Sequence, residues 1–354
     1  MPLGLVLSLI LSLSGCGVSS PPAMLEDYLQ RVANVLEVEP QAGSSQTQAK
    51  VLPLPSRRDR RLATQELRSG LLDSLELRHC GLLPLIAERN SSLGKVMKPS
   101  IQLNYELQFF AKLQPCLRRD QQQSISDAAF SEQLRQIYQI KSTNLIPVWW
   151  NSVFASEAME RNLSLSRPPI PLEGHPGYGD SLRALEVMVS LAGPLSPPAD
   201  PFPLPKQLER LESGHESLYN GEYGSQLFSS IQLLIDILNR TSLTLDRATR
   251  QRPLCLNGRS STQAEYLRNV FDRYYGGGVQ PYLSRTYRNG RSWLELMDQL
   301  AQQARPSSDW DRYHRQMLDP VAENGLWQQF EQAIQRHTRS WRQVLSSCGL
   351  MPGS

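Results

Sequence analysis

Residues 324–347 read NGLWQQFEQAIQRHTRSWRQVLSS. Leu326, Phe330, Ile334, Trp341 and Leu345 recur there in steps of four and seven, which 3.6 residues per turn gathers onto one side of a helix. Gln, Arg and Thr fill the other side, so this stretch predicts an amphipathic helix from Asn324 to Ser347 with one buried face. No strand reading survives, because apolar and polar residues do not alternate over any run of this segment.

The same period extends outward through the chain. Upstream it predicts helices over Val279 to Gln303, Ser308 to Leu318, Thr262 to Tyr275, Glu222 to Arg250, Lys206 to Tyr219 and Asp180 to Ala192. Earlier still, Trp149, Trp150 and Phe154 mark a helix from Val148 to about Arg161, with Pro147 separating it from another over Asp127 to Ser142. The paired tryptophans read as core. Ile101, Tyr105, Phe109, Leu113 and Cys116 share a face after Pro99 and Ser100, the second a cap candidate. Leu82 to Arg89 gives a short helix, and Leu67, Leu71, Leu72, Leu75 and Leu77 give another that Cys80-Gly81 ends. Leu25, Tyr28, Leu29, Val32 and Leu36 form the first, with Ser20 to cap it and Pro21 to open it. No sustained period-two alternation and no internal repeat occurs. The expected architecture is all-α, a multi-helix, bundle-like body. Gly276-Gly277-Gly278 reads as a helix-to-helix turn or hinge, and Pro- and Gly-rich stretches around 165–205 mark a candidate subdomain break.

Composition agrees with a folded body. The 354 residues are 40% hydrophobic and 20% charged, with mean hydropathy −0.39, which excludes a disordered chain and a polytopic membrane protein. The formal net charge of +3 is nearly neutral. Arg57, Arg58, Arg60 and Arg61 nevertheless stand together in a Pro-containing stretch, 38–62, that lacks periodicity and reads as an extended linker with a solvated charge run. A main helical domain over 63–354 follows.

The N-terminus carries an address. Leu3 to Leu13 is apolar but too short to span a bilayer, and it ends at Leu13-Ser14-Gly15-Cys16, which resembles a bacterial lipobox. Residues 1–15 are therefore expected to be a signal peptide and Cys16 the lipid-bearing first residue, with 16–37 forming the anchored N-terminus and its short helix. Gly17, in place of Asp, favours the periplasmic face of the outer membrane. Export leaves Cys80, Cys116, Cys255 and Cys348, an even number in an oxidising compartment, so two disulfides are expected. A turn over Asn90 to Pro99 would place Cys80 and Cys116 at similar distances along antiparallel helices. That pairs Cys80 with Cys116 and, by elimination, Cys255 with Cys348.

Chemistry is sparse. Residues 88–95 collect Glu88, Arg89, Asn90, Ser91, Ser92 and Lys95, and Ser92 to Lys95 has the S-x-x-K spacing of penicillin-recognising enzymes. Neither S-D-N nor K-T-G accompanies it, and Gly94 would weaken the helix that the motif needs. The favoured reading is a turn, with Asn90 or Gly94 left-handed, Ser91 or Ser92 capping, and Glu88 paired to Arg89 or Lys95. Glu88, Ser92 and Lys95 remain the catalytic candidates, and Arg89, Asn90 and Ser91 the binding-loop candidates. Glu209, Glu212, Glu216 and Glu222 near His215 and Tyr223 would suit glycan cleavage only if they faced a cleft; on a helix they read as a solvated face. The five histidines are scattered, so neither a metal nor a cofactor is expected.

Leu71-Leu72-Asp73, Cys80-Gly81, the Ile86 to Lys95 segment and Tyr105-Glu106, taken with the lipobox, resemble a family of proteobacterial lipoproteins defined as domain of unknown function 3080. The resemblance implies a lipoprotein address and transfers no catalytic or ligand residue. The expected role is a non-enzymatic binding or scaffolding module, held on the membrane by its lipid, with an envelope protein or peptidoglycan as partner and no nucleic acid. The alternatives are a peptidoglycan- or glycan-active enzyme and a lipid or lipoprotein carrier.

Overall fold

The computed structural model describes residues 20–67, 75–123, 127–256 and 258–351. Cys16, the leader, and Leu71, Leu72 and Asp73 lie outside the described residues. The described chain is all-α, and both disulfides pair as the sequence predicts, Cys80–Cys116 and Cys255–Cys348, each with Cα atoms 5.3 Å apart.

Local chemistry starts and stops the helices. α1 (Pro21–Leu36) opens with Ser20 Oγ accepting from the Ala23 amide, and ends where Glu37 turns left-handed (φ 54°) and its N–H returns to Ala33 and Asn34. α2 (Leu83–Asn90) and α3 (Pro99–Gln123) follow, then α4 (Ala128–Phe154), capped by Asp127, whose carboxylate accepts from the Phe130 amide at 2.7 Å. α5 (Glu157–Leu163), α6 (Tyr178–Ala192), α7 (Leu211–Gly221) and α8 (Tyr223–Gln251) complete the first two-thirds. α9 (Thr262–Val270), α10 (Gln280–Ala301), α11 (Ser308–Tyr313) and α12 (Leu326–Ser347) complete the rest.

Two expected breaks are absent. α4 runs through Pro147 as one helix, where the sequence predicts two. Leu145, Val148, Trp149 and Trp150 are buried on both sides of the proline, and that packing outweighs the hydrogen bond it removes. Gly276–Gly278 is likewise no turn. The chain passes from α9 through a π-helical stretch, Phe271–Val279, directly into α10. The wider turn presents Phe271 and Tyr275 to a fully buried knot in which Trp341 Nε1 donates to Tyr28 Oη at 2.7 Å, with His337 Nε2 at 3.2 Å, and Tyr28 Oη donates to His337 Nε2 at 2.8 Å. Burial pulls the His337 pKa down to about 3, in keeping with a neutral ring that accepts at Nε2. Individual faces also shift. Ile101 is 39% exposed and Ile334 half-buried, although their spacing predicts both inside.

The stretch 38–62 is extended, but it is fastened to the helices. Thr47 Oγ1 donates to Asp236 at 2.7 Å, and Asn239 donates to the Thr47 carbonyl at 2.9 Å. Further on, Asn151 and Asn144, two turns apart on α4, each bond both the N–H and the C=O of one extended residue, Leu62 and Gln65 respectively, at 2.8–2.9 Å. The two amides satisfy the strand as a neighbouring strand would. The arginine cluster is thus not a uniformly solvated run. Arg58 and Arg61 are exposed, but Arg60 is 1% exposed, paired with Glu160 at 3.0 Å and donating to the Phe154 carbonyl. Arg57 joins it on Glu160 at 2.9 Å.

Packing forms two cores. The larger gathers α1, α8, α10 and α12, most of the tryptophans, and residues from 165–205 such as Ile170, Leu185 and Phe202. The smaller draws on residues between Leu77 and Ile137: α2, one face of α3 (Tyr105, Phe109, Leu113), the first half of α4, and the Cys80–Cys116 bridge.

Candidate functional site

The candidate residues of the sequence converge on the end of the smaller core. α2 stops at Asn90, and a turn followed by a short 3-10 segment, Gly94–Val96, leads to α3. Ser91 closes the turn: its Oγ donates to the Glu88 carbonyl at 2.7 Å and accepts from the Gly94 amide at 3.0 Å. Arg89 reaches over to the Gly94 carbonyl rather than to Glu88. The lysine and valine amides bond Ser91 O and Leu93 O at 3.2 and 3.1 Å. Neither Asn90 nor Gly94 is left-handed, contrary to the expectation. Glycine is required at 94 for space, since a Cβ there would lie 2.1 Å from the Glu88 carbonyl oxygen.

This geometry disposes of the S-x-x-K reading. Ser92 and Lys95 are exposed in a turn rather than stacked within one helix, and Glu88 and Asn90 are exposed as well. What the turn does present is apolar. Leu93 is 81% exposed and Val96 75%. A 3-10 turn sets residues three apart over one another, so the two side chains form one protruding apolar face. Lys95 and Lys98, both exposed, flank it, and residues 89–105 contain Arg89 and these two lysines but no acid.

Behind this tip α3 and α4 are locked by a buried ion pair. Lys141 Nζ lies 2.9 and 2.8 Å from the two Glu106 oxygens, and 4.5 Å from the centre of the Phe109 ring. Both side chains are under 9% exposed. Next to them the Tyr105 hydroxyl is buried with no hydrogen-bond partner among the described residues. Burial pushes its pKa well up, the Glu106 and Glu88 charges add to the rise, and Arg89 opposes it.

The remaining candidates do not assemble. Glu209, Glu212 and Glu216 are exposed along one side of the α7 region. Glu222 is buried instead, clamped by Arg161 and Arg167. His215 faces inward, and burial draws its pKa down to about 4. Two open grooves lie elsewhere. One of about 620 Å³ runs between α6 and α7, lined by Arg183, Arg210, Ser190 and Ser213. Another of about 530 Å³ between α10 and α12 holds Tyr287, Arg288 and Ile334 beside Glu331, which accepts from Tyr287 Oη at 2.8 Å. Among the described residues no cluster of three or more His, Cys, Asp or Glu could hold a metal, and no helix is long and apolar enough to cross a membrane.

Sequence reasoning passed over Leu93, Val96 and Lys141. The first two stand outside any helical period, Leu93 among polar turn residues and Val96 between two lysines, which is the signal that marks a presented surface. Lys141 gave none, because a lysine within an amphipathic helix is ordinarily solvated.

No curated protein and no solved structure matches the chain. A family model does, over residues 25–352, and its description is "Protein of unknown function (DUF3080)". Matched over nearly its whole length, including both cores and both disulfides, the chain belongs to the DUF3080 family.

Proposed function

We propose that this protein is a lipid-anchored, periplasmic module of the outer envelope that acts by binding or scaffolding rather than by catalysis, with the 91–101 tip as its contact surface. The observation that carries the reading is the pair Leu93 and Val96, held largely exposed by a turn that Ser91 Oγ and Arg89 close on its own backbone. Exposing two aliphatic side chains to water is unfavourable unless something covers them in use. The Leu3–Leu13 run ending in Cys16, and two disulfides of the kind that persist in oxidising compartments, support the address.

Two measurements test it in cells. Cys16→Ser is expected to abolish acyl labelling and membrane retention; unchanged retention overturns the anchor. A photocrosslinking amino acid replacing Leu93 is expected to give an envelope adduct, whereas one replacing Val321, which is 70% exposed elsewhere, is not. Equal yields from both positions overturn the contact surface. An enzymatic reading has one observation in its favour, the polar α6–α7 groove. Release of soluble fragments from purified cell-wall sacculi would put that reading first.

A further inference from the structure

The tip has two further properties that specify its partner. Its charge is mainly of one sign: Arg89, Lys95 and Lys98 stand against one exposed acid, Glu88, and the nearest following carboxylate, Glu106, is taken up by Lys141. Its backbone is also satisfied in part from within. The Gly94, Lys95 and Val96 amides bond Ser91 Oγ, Ser91 O and Leu93 O, and the Gly94 carbonyl accepts from Arg89. Each group bonded within the turn is one fewer to strand on leaving water, a cost that entry into a bilayer interface imposes. An exposed apolar pair with exposed lysines beside it in the chain is also the pattern of an interfacial anchor on an anionic leaflet.

We infer that Leu93 and Val96 insert into the headgroup region of an anionic phospholipid surface, with Lys95 and Lys98 on its phosphates. This inference rests on the reading of the tip as the contact surface, and it would make the tip a second membrane attachment besides Cys16. It also gives the rigid backing a purpose. The Cys80–Cys116 bridge and the Lys141–Glu106 pair hold the turn in shape before it meets the membrane, so little ordering remains to be done on contact.

The test uses the chain from Gly17 onward, which retains every described contact but cannot be acylated at Cys16. It is floated with vesicles of phosphatidylcholine alone or mixed with phosphatidylglycerol. Binding is expected to the mixed vesicles only and to fall with added salt. Lys95→Gln with Lys98→Gln should weaken it about 25-fold, at roughly fivefold per lysine. Leu93→Ser with Val96→Ser should remove it while both disulfides and the helical circular dichroism persist. Absence of flotation, equal flotation with neutral vesicles, or indifference to the Leu93 and Val96 changes overturns the lipid assignment. Should vesicles fail while position 93 crosslinks to a protein in cells, the lipid inference falls and the contact surface stands.

Discussion

The two cores solve the same problem in different proportions. The larger buries all six tryptophans, and against that apolar area its own ties, the Cys255–Cys348 bridge and the buried Arg60 on Glu160, are a small share. The smaller rests on thirteen buried residues among those described, and adds a disulfide and a buried ion pair. Little apolar area means little margin, so covalent and ionic ties carry a greater share there. The difference also separates roles: the larger core holds the body, and the smaller presents an apolar tip that the body has no packing reason to expose.

The strongest way to break this contrast is at the buried pair. Glu106→Gln leaves Lys141 charged and buried, and should cost about 3–5 kcal/mol, read by urea unfolding; joint replacement by Glu106→Leu and Lys141→Met should recover most of it. Loss confined to the smaller core, seen as an early separate transition, would sharpen the division. A single transition with no loss would dissolve it.

Removing a disulfide comes next. Cys80→Ser with Cys116→Ser opens a loop of sequence separation 36, worth about 2–4 kcal/mol. The expected signature is early proteolysis between residues 75 and 137 while the rest resists. Uniform proteolysis would show that the smaller core does not depend on its tie.

Acid should act on the opposite side. His215 and His337 are buried with pKa values lowered to about 4 and about 3, so the unfolded chain binds more protons below pH 6.5. Their contribution is complete above that value and is lost as pH falls towards 4, by about 2 kcal/mol each at pH 5. His79, next to the smaller core, is exposed. Denaturant midpoints at pH 7 and 5 should therefore fall mainly for the larger core, and His337→Gln should flatten the change.

The smallest effects compare single glycines and hydroxyls. Gly94→Ala drives a methyl onto the Glu88 carbonyl and should cost about 1–3 kcal/mol, whereas Gly277→Ala, whose nearest neighbour is 3.9 Å away within a helix, should stabilise by roughly 0.5–1 kcal/mol. Ser92→Ala should fall within about 0.5 kcal/mol and leave envelope crosslinking unchanged. A large effect at Ser92 would reopen a catalytic role.

Much of this was legible beforehand. Ser20, Pro21, Asp127 and the spaced apolar residues announce helices through interactions a few residues long, and four cysteines beside a turn announce their own pairing. Pro147 and Gly276–Gly278 misled for the same reason: their local cost or freedom is real, but burial on both sides decided the outcome. In the candidate site, Ser92 and Lys95 have a suggestive spacing that says nothing of orientation, and the structure turns them both to water.

Sequence alone determined the helical class, the first cap at Ser20, the disulfide partners and the family, because each depends on near neighbours, on parity or on direct resemblance; Ser100, read as a cap, lies instead inside α3, which starts at Pro99. Tertiary structure decided which polar residues are buried. Arg60 on Glu160, Lys141 on Glu106, and Asn144 and Asn151 on the extended strand all look like surface residues in the sequence. Their partners lie 35 to 100 positions away. A charge or an amide enters a protein interior only when such a partner is already in place, and that condition belongs to the folded chain as a whole.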